Sequence, residues 1–321
     1  MKFKLGIVMA GAVSAGAYTA GVIDYLLEAL ERWEEAKREN KKLGKAHPDY
    51  DHSLPMHDVV IEVMGGASAG GMTAAIATLA LFKGITPVRE RHPEKGNNLV
   101  YDAWVNLNDN EVDIPNINGK SKRLTDWKSD LPSYISPEMD IILSLCSLRG
   151  IPVDVKFETD SSIEAEEVSR QKIHRMWIHK WNAHFKLSDE KEEFNKAYAL
   201  AFNPSKKTHL SNLVNCAIAS GAFPFGLKPV KVESALDQSE QTIISPPPSD
   251  YLKAQINRLF KENKNVIPHT GNEEEQFVST IVDGGVVNNE PFGEVERILE
   301  ELEQSQTNDF QENELSDYHA L

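Results

Sequence analysis

Apolar residues follow two different spacings near the start of the chain, and each spacing predicts an element. Residues 4–9 form a short, mostly apolar run, which is typical of a buried strand. From Gly16 onward, apolar residues recur at helical spacing, which predicts a long helix. The far end of this helix, residues 31–42, is charged, and we expect it to extend into solvent. The apolar face of the helix consists of Val22, Ile23, Leu26, Leu27, Leu30 and Trp33.

The same order of elements then repeats. Residues 44–58 are rich in polar residues and proline, which predicts a loop. Residues 59–64 predict a second strand, residues 65–71 a tight glycine-rich turn, and residues 72–82 a helix that ends near Gly84. The order strand, helix, strand, helix predicts an α/β fold in three layers, α/β/α, with a mostly parallel central sheet and helical insertions.

The middle of the chain carries weaker patterns. Scattered Pro, Gly and Asn predict an insertion over residues 85–135, and a proline tract and an acidic run predict a mobile insertion over residues 231–275. Residues 163–185 and 189–202 have the pattern of charged amphipathic helices. We also expect a strand at 154–159, a short helix at 211–220 with Ser211 as its N-cap, a strand at 277–282 and a helix at 293–304.

These patterns favour one domain over two. The motifs described below lie near opposite ends of the chain and have to meet, so we predict a single catalytic domain over residues 1–304. Its insertion-rich parts are 85–209 and 231–275, and an acidic, mobile tail follows at 305–321.

Composition narrows the classes of function. A formal net charge of −15 argues against a nucleic-acid partner and against strong docking on anionic lipid. The two cysteines, Cys146 and Cys216, lie in apolar surroundings, so we expect no disulfide framework. Glycines and acidic residues interrupt the first apolar stretch, which argues against a secretion signal, and no run reaches the roughly 18 uncharged apolar residues of a membrane span. We expect a cytoplasmic protein.

The first chemical motif is the GASAG sequence of residues 66–70. A serine between such small residues, after a strand and before a helix, is typical of a nucleophile elbow, where a sharp turn exposes the hydroxyl. Ser68 is therefore the candidate nucleophile, and Gly66 and Gly70 leave room for the turn. The alternative is a glycine-rich turn that only packs closely or holds a phosphate.

Two further glycine-rich segments follow strands. After the first strand, Gly11, Ala12 and Val13 begin a loop of small residues whose backbone N–H groups suit an oxyanion; a dinucleotide-binding turn is the alternative, but its glycine spacing is absent. After the strand at 277–282 comes Asp283, and the glycines at 284–285 turn the backbone away and leave its carboxylate open. An ordinary β-turn aspartate is the alternative for Asp283.

Taken together and in this order, the three segments resemble the patatin-like phospholipase family. Residues 16–22 (GAYTAGV) are similar to the family's loop-to-helix segment, GASAG to its elbow, and Asp283 with Gly284 and Gly285 to its aspartate segment. The stretch at 219–224 (ASGAFP) is similar to one that members carry between elbow and aspartate. The resemblance covers residues 4–84 well and 210–295 in part.

The resemblance implies a serine acyl-ester hydrolase with a Ser68–Asp283 dyad, an acyl-enzyme intermediate and no metal or cofactor. The implied partner is a lipid or other acyl-ester substrate, with transient contact to a membrane surface and no nucleic acid. The chain departs from the family in two ways. Its loop lacks the usual basic residue, so the oxyanion would depend on backbone N–H groups, and it ends soon after residue 304, as a short member or a fragment would.

Three alternatives remain open at this stage. A Ser-His-Asp hydrolase needs a histidine, and His209, His269 and His319 are the late candidates. His174, His179 and His184 recur every five residues on a predicted helix, so we interpret them as solvated or partly packed. Acyl transfer to an alcohol other than water and a lipid-binding protein without catalysis are the other two alternatives.

Overall fold

The computed structural model describes residues 2–12, 16–84, 88, 98–105, 127–128, 130–157, 173–188, 198–224, 226–233, 243–245, 247, 249–261, 263–268, 277–309 and 318–320. Its helices are α1 (Gly16–Leu43), α2 (Ala69–Lys83), α3 (Leu99–Trp104), α4 (Lys207–Ser220), α5 (Ser249–Leu259) and α6 (Phe292–Asp309). Its strands are β1 (Lys2–Met9), β2 (Asp58–Ala67), β3 (Ile135–Lys156), β4 (Ile173–Leu187), β5 (Leu200–Phe202), β6 (Val230–Val232), β7 (Ile243–Ile244), β8 (Val266–Pro268), β9 (Ser279–Asp283) and β10 (Tyr318–Ala320).

The strands form one sheet of ten strands in the order β10-β1-β2-β3-β9-β6-β7, with β4 and β8 also paired to β3 and β5 paired to β4. The pairings from β10 through β1 and β2 to β3 are parallel, whereas β3 pairs antiparallel with β4, β8 and β9. The long strand β3 is therefore the centre of the sheet, because it pairs with β2, β4, β8 and β9.

Successive side chains of β3 point to opposite faces of the sheet, and helices cover both faces. Ile141 and Leu143 belong to the large core that includes buried residues of α1, α2 and α4. Ile142, between them, packs with Val63 of β2 in a second core that α6 closes with Val295, Ile298 and Leu299. The predicted three-layer α/β/α fold with a mostly parallel sheet is confirmed.

Two predictions about the middle of the chain are wrong. Residues 173–185, expected as part of a helix, belong to strand β4, and residues 200–202 form the strand β5. The strand expected at 154–159 is confirmed for residues 154–156, which end the 22-residue β3, and residues 158–159 lie outside the described residues. Residues 163–172 and 189–197 of the two expected helices lie outside the described residues.

The expected loops and ends also contain more regular structure than the sequence indicated. The insertion at 85–135 contains α3, and the one at 231–275 contains α5 with short strands on both sides. Helix α4 begins at Lys207, so Ser211 lies inside it instead of capping it. In the tail at 305–321, α6 continues to Asp309 and residues 318–320 pair with β1.

The charged far end of α1 is only partly in solvent. Lys37 is buried, and its ammonium donates to Glu34, to Asp58 and to the His57 carbonyl at 2.6–2.8 Å. These bonds tie the second half of α1 to the start of β2. Among the described helices, none combines the length and the apolar character needed to cross a membrane.

Candidate active site

Ser68 occupies the junction between β2 and α2 in a strained backbone conformation. Its φ of 51° and ψ of −125° lie in a region that residues with side chains rarely adopt. The turn is a single residue, because β2 continues through Ala67 and α2 begins at Ala69. This is tighter than the seven-residue turn expected from the glycine pattern at 65–71. Ser68 is half-buried and stands directly before the N-terminus of α2.

The elbow requires small residues because three backbone segments meet there. A Cβ on Gly66 would collide with the carbonyl group of Gly70, and a Cβ on Gly70 would collide with the Met9 carbonyl of β1. Neither neighbour is a flexible side-chain end that could move aside. The two glycines that were expected to support the elbow therefore lie where close approach of the backbone demands them.

Asp283 ends β9, and its carboxylate is held on two sides. Its Oδ2 accepts a hydrogen bond from Ser68 Oγ at 2.6 Å, and its Oδ1 accepts one from the Gly285 N–H at 2.7 Å. A Cβ on Gly284 would collide with the Ser144 carbonyl, so the chain passes very close to β3 immediately after the aspartate. The Asp283 side chain is buried, at 3% exposure. The structure thus brings together two residues that lie 215 positions apart.

The strand arrangement explains how they meet. Ala67 pairs with Ser144 in a parallel ladder, and Asp283 pairs with the next residue, Leu145, in an antiparallel one. Because β4 occupies the other edge of β3 at both positions, β2 and β9 lie on the same edge and run towards each other. Their ends meet at the middle of β3, which places Ser68 beside Asp283.

The segment after β1 lies against the elbow. A Cβ on Gly11 would be 2.9 Å from Ser68 Cβ, so the two backbones are in close contact. The Gly11 N–H donates to the Asn289 carbonyl at 3.1 Å, and Asn289 Nδ2 donates to the Gly11 carbonyl at 3.3 Å. The Gly11 N–H is therefore engaged within the protein. Ala12 follows, half-buried, and Val13 lies outside the described residues, so the oxyanion donors stay a prediction.

The hydroxyl of Ser220, fully buried at the end of α4, is a part of the site that was not predicted from the sequence. Its Oγ accepts a hydrogen bond from the Ser68 N–H at 3.1 Å and donates to the Ser144 carbonyl at 2.9 Å. Two residues later, the Ala222 carbonyl accepts a hydrogen bond from the Asp283 N–H at 3.0 Å. Only the similarity of residues 219–224 to a family segment pointed to this stretch. Nothing local in the sequence indicated its contacts.

Among the late histidines, His209 lies at the opposite end of α4 from Ser220. His209 is in the first turn of α4, where its Nδ1 accepts from the Asn203 N–H at 3.2 Å. It precedes Ser220 by eleven residues, about 16 Å along a helix. His269 lies outside the described residues, and only the backbone of His319 is described.

The three histidines at 174, 179 and 184 lie on strand β4, not on a helix, and they differ from one another. His184 is buried, and its Nε2 lies 2.8 Å from Asp140 Oδ1. The other Asp140 oxygen accepts from Lys186 Nζ at 3.0 Å. The expectation that all three are solvated or partly packed is wrong for His184, which belongs to a buried ionic cluster.

The Cys146 thiol, in the strand next to Asp283, is buried. Burial raises the pKa of the Cys146 thiol, and the negative charge of Asp283 raises it further. Cys146 therefore stays protonated at neutral pH. Across the part of the chain that the structure describes, no three His, Cys, Asp or Glu side chains converge as metal ligands would.

An uncharacterized protein of Sinorhizobium fredii (strain NBRC 101917 / NGR234), y4iI, is 27% identical over 328 residues, an alignment covering 90% of this chain but 44% of that protein. The chain thus spans less than half the length of this curated relative, and no solved structure matches it. A family model described as patatin-like phospholipase matches residues 7–295, a range that includes Ser68 and Asp283. Because that range is nearly the whole chain, the protein belongs to the patatin-like phospholipase family.

Proposed function

We propose that this protein hydrolyses fatty-acyl esters with Ser68 as nucleophile and Asp283 as its general base. One observation carries the proposal: the 2.6 Å hydrogen bond from Ser68 Oγ to Asp283 Oδ2, made from a strained elbow. Family membership supports the lipid acyl hydrolase class. The catalytic roles of Ser68 and Asp283 are what we propose in addition.

In the first half of the reaction, Ser68 Oγ attacks the ester carbonyl carbon while its proton passes to Asp283 Oδ2. The carbonyl oxygen becomes an oxyanion. When the intermediate collapses, the carbon–oxygen bond to the alcohol breaks and Asp283 returns the proton to the leaving oxygen. The Gly285 N–H keeps the carboxylate oriented throughout, because it binds Oδ1 and leaves Oδ2 for the proton.

In the second half, water replaces the alcohol. Asp283 takes a proton from the water, whose oxygen attacks the acyl carbon, and the proton then returns to Ser68 Oγ as the fatty acid leaves. Backbone N–H groups would stabilise both oxyanions. We assign them to Ala12 and Val13, since the Gly11 N–H is bonded to Asn289.

We further propose that the entrance to the site contacts a lipid surface for a short time. Exposed apolar side chains follow both segments next to Asp283: Phe223 and Leu227 after Ala222, and Val286 and Val287 after the glycines. We call these four the apolar rim. Such exposed groups favour burial in a lipid layer. Since the net charge is −15, we expect neutral or zwitterionic lipid, not anionic lipid.

A fluorophosphonate probe tests the dyad. We expect the wild type to be labelled and to hydrolyse p-nitrophenyl esters, and Ser68→Ala to do neither. A panel of p-nitrophenyl esters and phospholipids then defines the acyl group. A folded wild type that neither reacts with the probe nor cleaves any ester would refute the proposal and favour a lipid-binding protein.

A further inference from the structure

We propose that the Ser220 hydroxyl is a positioning group of the active site, through which the end of α4 fixes Ser68 relative to Asp283. This inference rests on the proposed function, because it concerns the geometry of the same dyad. Ser220 touches neither substrate nor the reacting atoms. Its effect passes through the backbone of Ser68.

The Ser68 N–H needs a hydrogen-bond acceptor from outside the sheet, because the elbow takes Ser68 out of the β2–β3 ladder. Its neighbour Ala67 is the last residue of β2 paired with β3, and Ser68 itself turns out of the ladder. A buried backbone N–H without an acceptor is unfavourable, so an acceptor has to be supplied from elsewhere. Ser220 Oγ supplies it at 3.1 Å and itself donates a hydrogen bond to the Ser144 carbonyl at 2.9 Å. The Ser220 hydroxyl thus bridges the Ser68 backbone and β3, the strand with which β2 pairs up to Ala67.

The same short segment also holds Asp283. The Ala222 carbonyl accepts the Asp283 N–H at 3.0 Å, two residues after Ser220. Ser220 through Ala222 therefore form a clamp with one contact on each member of the dyad. The 2.6 Å separation between Ser68 Oγ and Asp283 Oδ2 depends on both contacts.

Packing around the clamp is tight. A Cβ on Gly71, in the first turn of α2, would collide with Ser220 Oγ, and a Cβ on Gly221 would collide with the Met72 sulfur. The clamp thus lies directly on the first turn of the helix that follows Ser68. Since Ser220 is 0% exposed, no water replaces its hydroxyl without a rearrangement.

Ser220→Ala tests the role, with Ser279→Ala as the matched control. Ser279 is also buried on the sheet, and its hydroxyl bonds Ser147 Oγ at 2.7 Å, away from the dyad. We expect Ser220→Ala to lower kcat on a soluble p-nitrophenyl ester about 10- to 100-fold with KM unchanged, because the nucleophile is displaced while the substrate-binding surface is kept. The maximal rate of fluorophosphonate labelling should fall by the same factor.

Ser279→Ala should lose thermal stability and keep the wild-type kcat. If Ser220→Ala does not fold, Ser220→Cys, which keeps a weaker donor and acceptor of similar size, should give an intermediate kcat. An unchanged kcat in the folded Ser220 variants, or an equal loss in Ser279→Ala, would overturn the positioning role alone. A wild type without any activity would instead overturn the proposed function and this role with it.

Discussion

Ser68 and Asp283 are joined by a single 2.6 Å hydrogen bond although they lie 215 positions apart in the chain. Two strands that run towards each other on β3 set this distance, and the Ser220–Ala222 clamp fixes each residue by its backbone N–H. The dyad is therefore held by main-chain contacts as well as by its own hydrogen bond. Substitutions of its side chains should leave the fold intact and affect the chemistry directly.

Asp283→Asn gives the most direct test of the general base. The amide can still accept a hydrogen bond from Ser68 Oγ, but it cannot take up the proton. We expect kcat to fall about 10²- to 10⁴-fold, the range typical of a lost acid–base group, while the melting temperature changes little. Steady-state kinetics and a thermal melt measure both quantities. Activity within a few-fold of the wild type would mean that another base serves Ser68.

A histidine base is the rival model, and His209→Ala examines its best described candidate. His209 lies about 16 Å along α4 from Ser220, so we expect hydrolysis to remain close to wild type. The lost bond to the Asn203 N–H should cost about 1 kcal/mol of folding free energy. Ester hydrolysis measures the activity of the variant, and urea unfolding measures its loss of folding free energy. Collapse of activity in a variant of near-normal stability would support a Ser-His-Asp site.

The buried cluster of Asp140, His184 and Lys186 predicts a pH-dependent part of the stability. Burial disfavours the Asp140 carboxylate, but the hydrogen bonds and charges of His184 and Lys186 outweigh burial and hold its pKa below the ordinary value. A carboxyl group with a lowered pKa in the folded state stabilises the fold above its unfolded pKa, about 4. This stabilisation is lost as the pH falls from about 4 through the lower folded pKa.

Asp140→Asn removes this contribution and leaves Lys186 with its Glu138 contacts. We expect the variant to be less stable than the wild type by about 3–5 kcal/mol at pH 7, as for a broken buried ion pair. The difference should shrink as the pH is lowered from 4 towards 3. Urea unfolding of both proteins across this range measures the free energy of unfolding. If the difference between the two proteins does not change with pH, the Asp140 carboxylate is not the source of the pH dependence.

The apolar rim predicts a difference between soluble and aggregated substrates. Replacing both Phe223 and Leu227 with Ser should weaken binding to phosphatidylcholine vesicles about tenfold or more, because apolar area is no longer buried in lipid. Hydrolysis of a soluble p-nitrophenyl ester should stay near wild type. Met176→Ser is the control, since Met176 is exposed on β4 and pairs with Val153, eight residues along β3 from Leu145. Equal losses on both substrates would argue against a lipid contact at the rim.

Local patterns were sufficient for the elements that carry the dyad. β1, β2, α2, β9 and α6 were expected close to where they lie, because each is a compact apolar run or a helical stripe bounded by glycines. The segment that forms β4 was expected as a helix because its aromatic residues Trp177, Trp181 and Phe185 are spaced by four, and this spacing places side chains on one face of a strand as well as of a helix. What makes the segment a strand is its pairing with β3, which has no local signature.

The site shows the same division between local and long-range information. Ser68 and Asp283 each follow a strand and carry glycines whose spacing is readable in the sequence. The Ser220 hydroxyl reaches Ser68 across 152 residues, and the Asn289 carbonyl reaches Gly11 from the other end of the chain. Side-chain and backbone bonds of this kind leave no periodic trace, so only coordinates reveal them.

Phe223 follows Ala222 directly, and this adjacency has a structural consequence. A side chain at the outer surface and the carbonyl that holds the Asp283 N–H belong to neighbouring residues of one short chain segment. The Phe223 side chain is therefore linked to the backbone of Asp283 through the Ala222–Phe223 peptide bond and one hydrogen bond. A group that docks on this exposed ring thus lies one residue from the carbonyl that holds the Asp283 backbone.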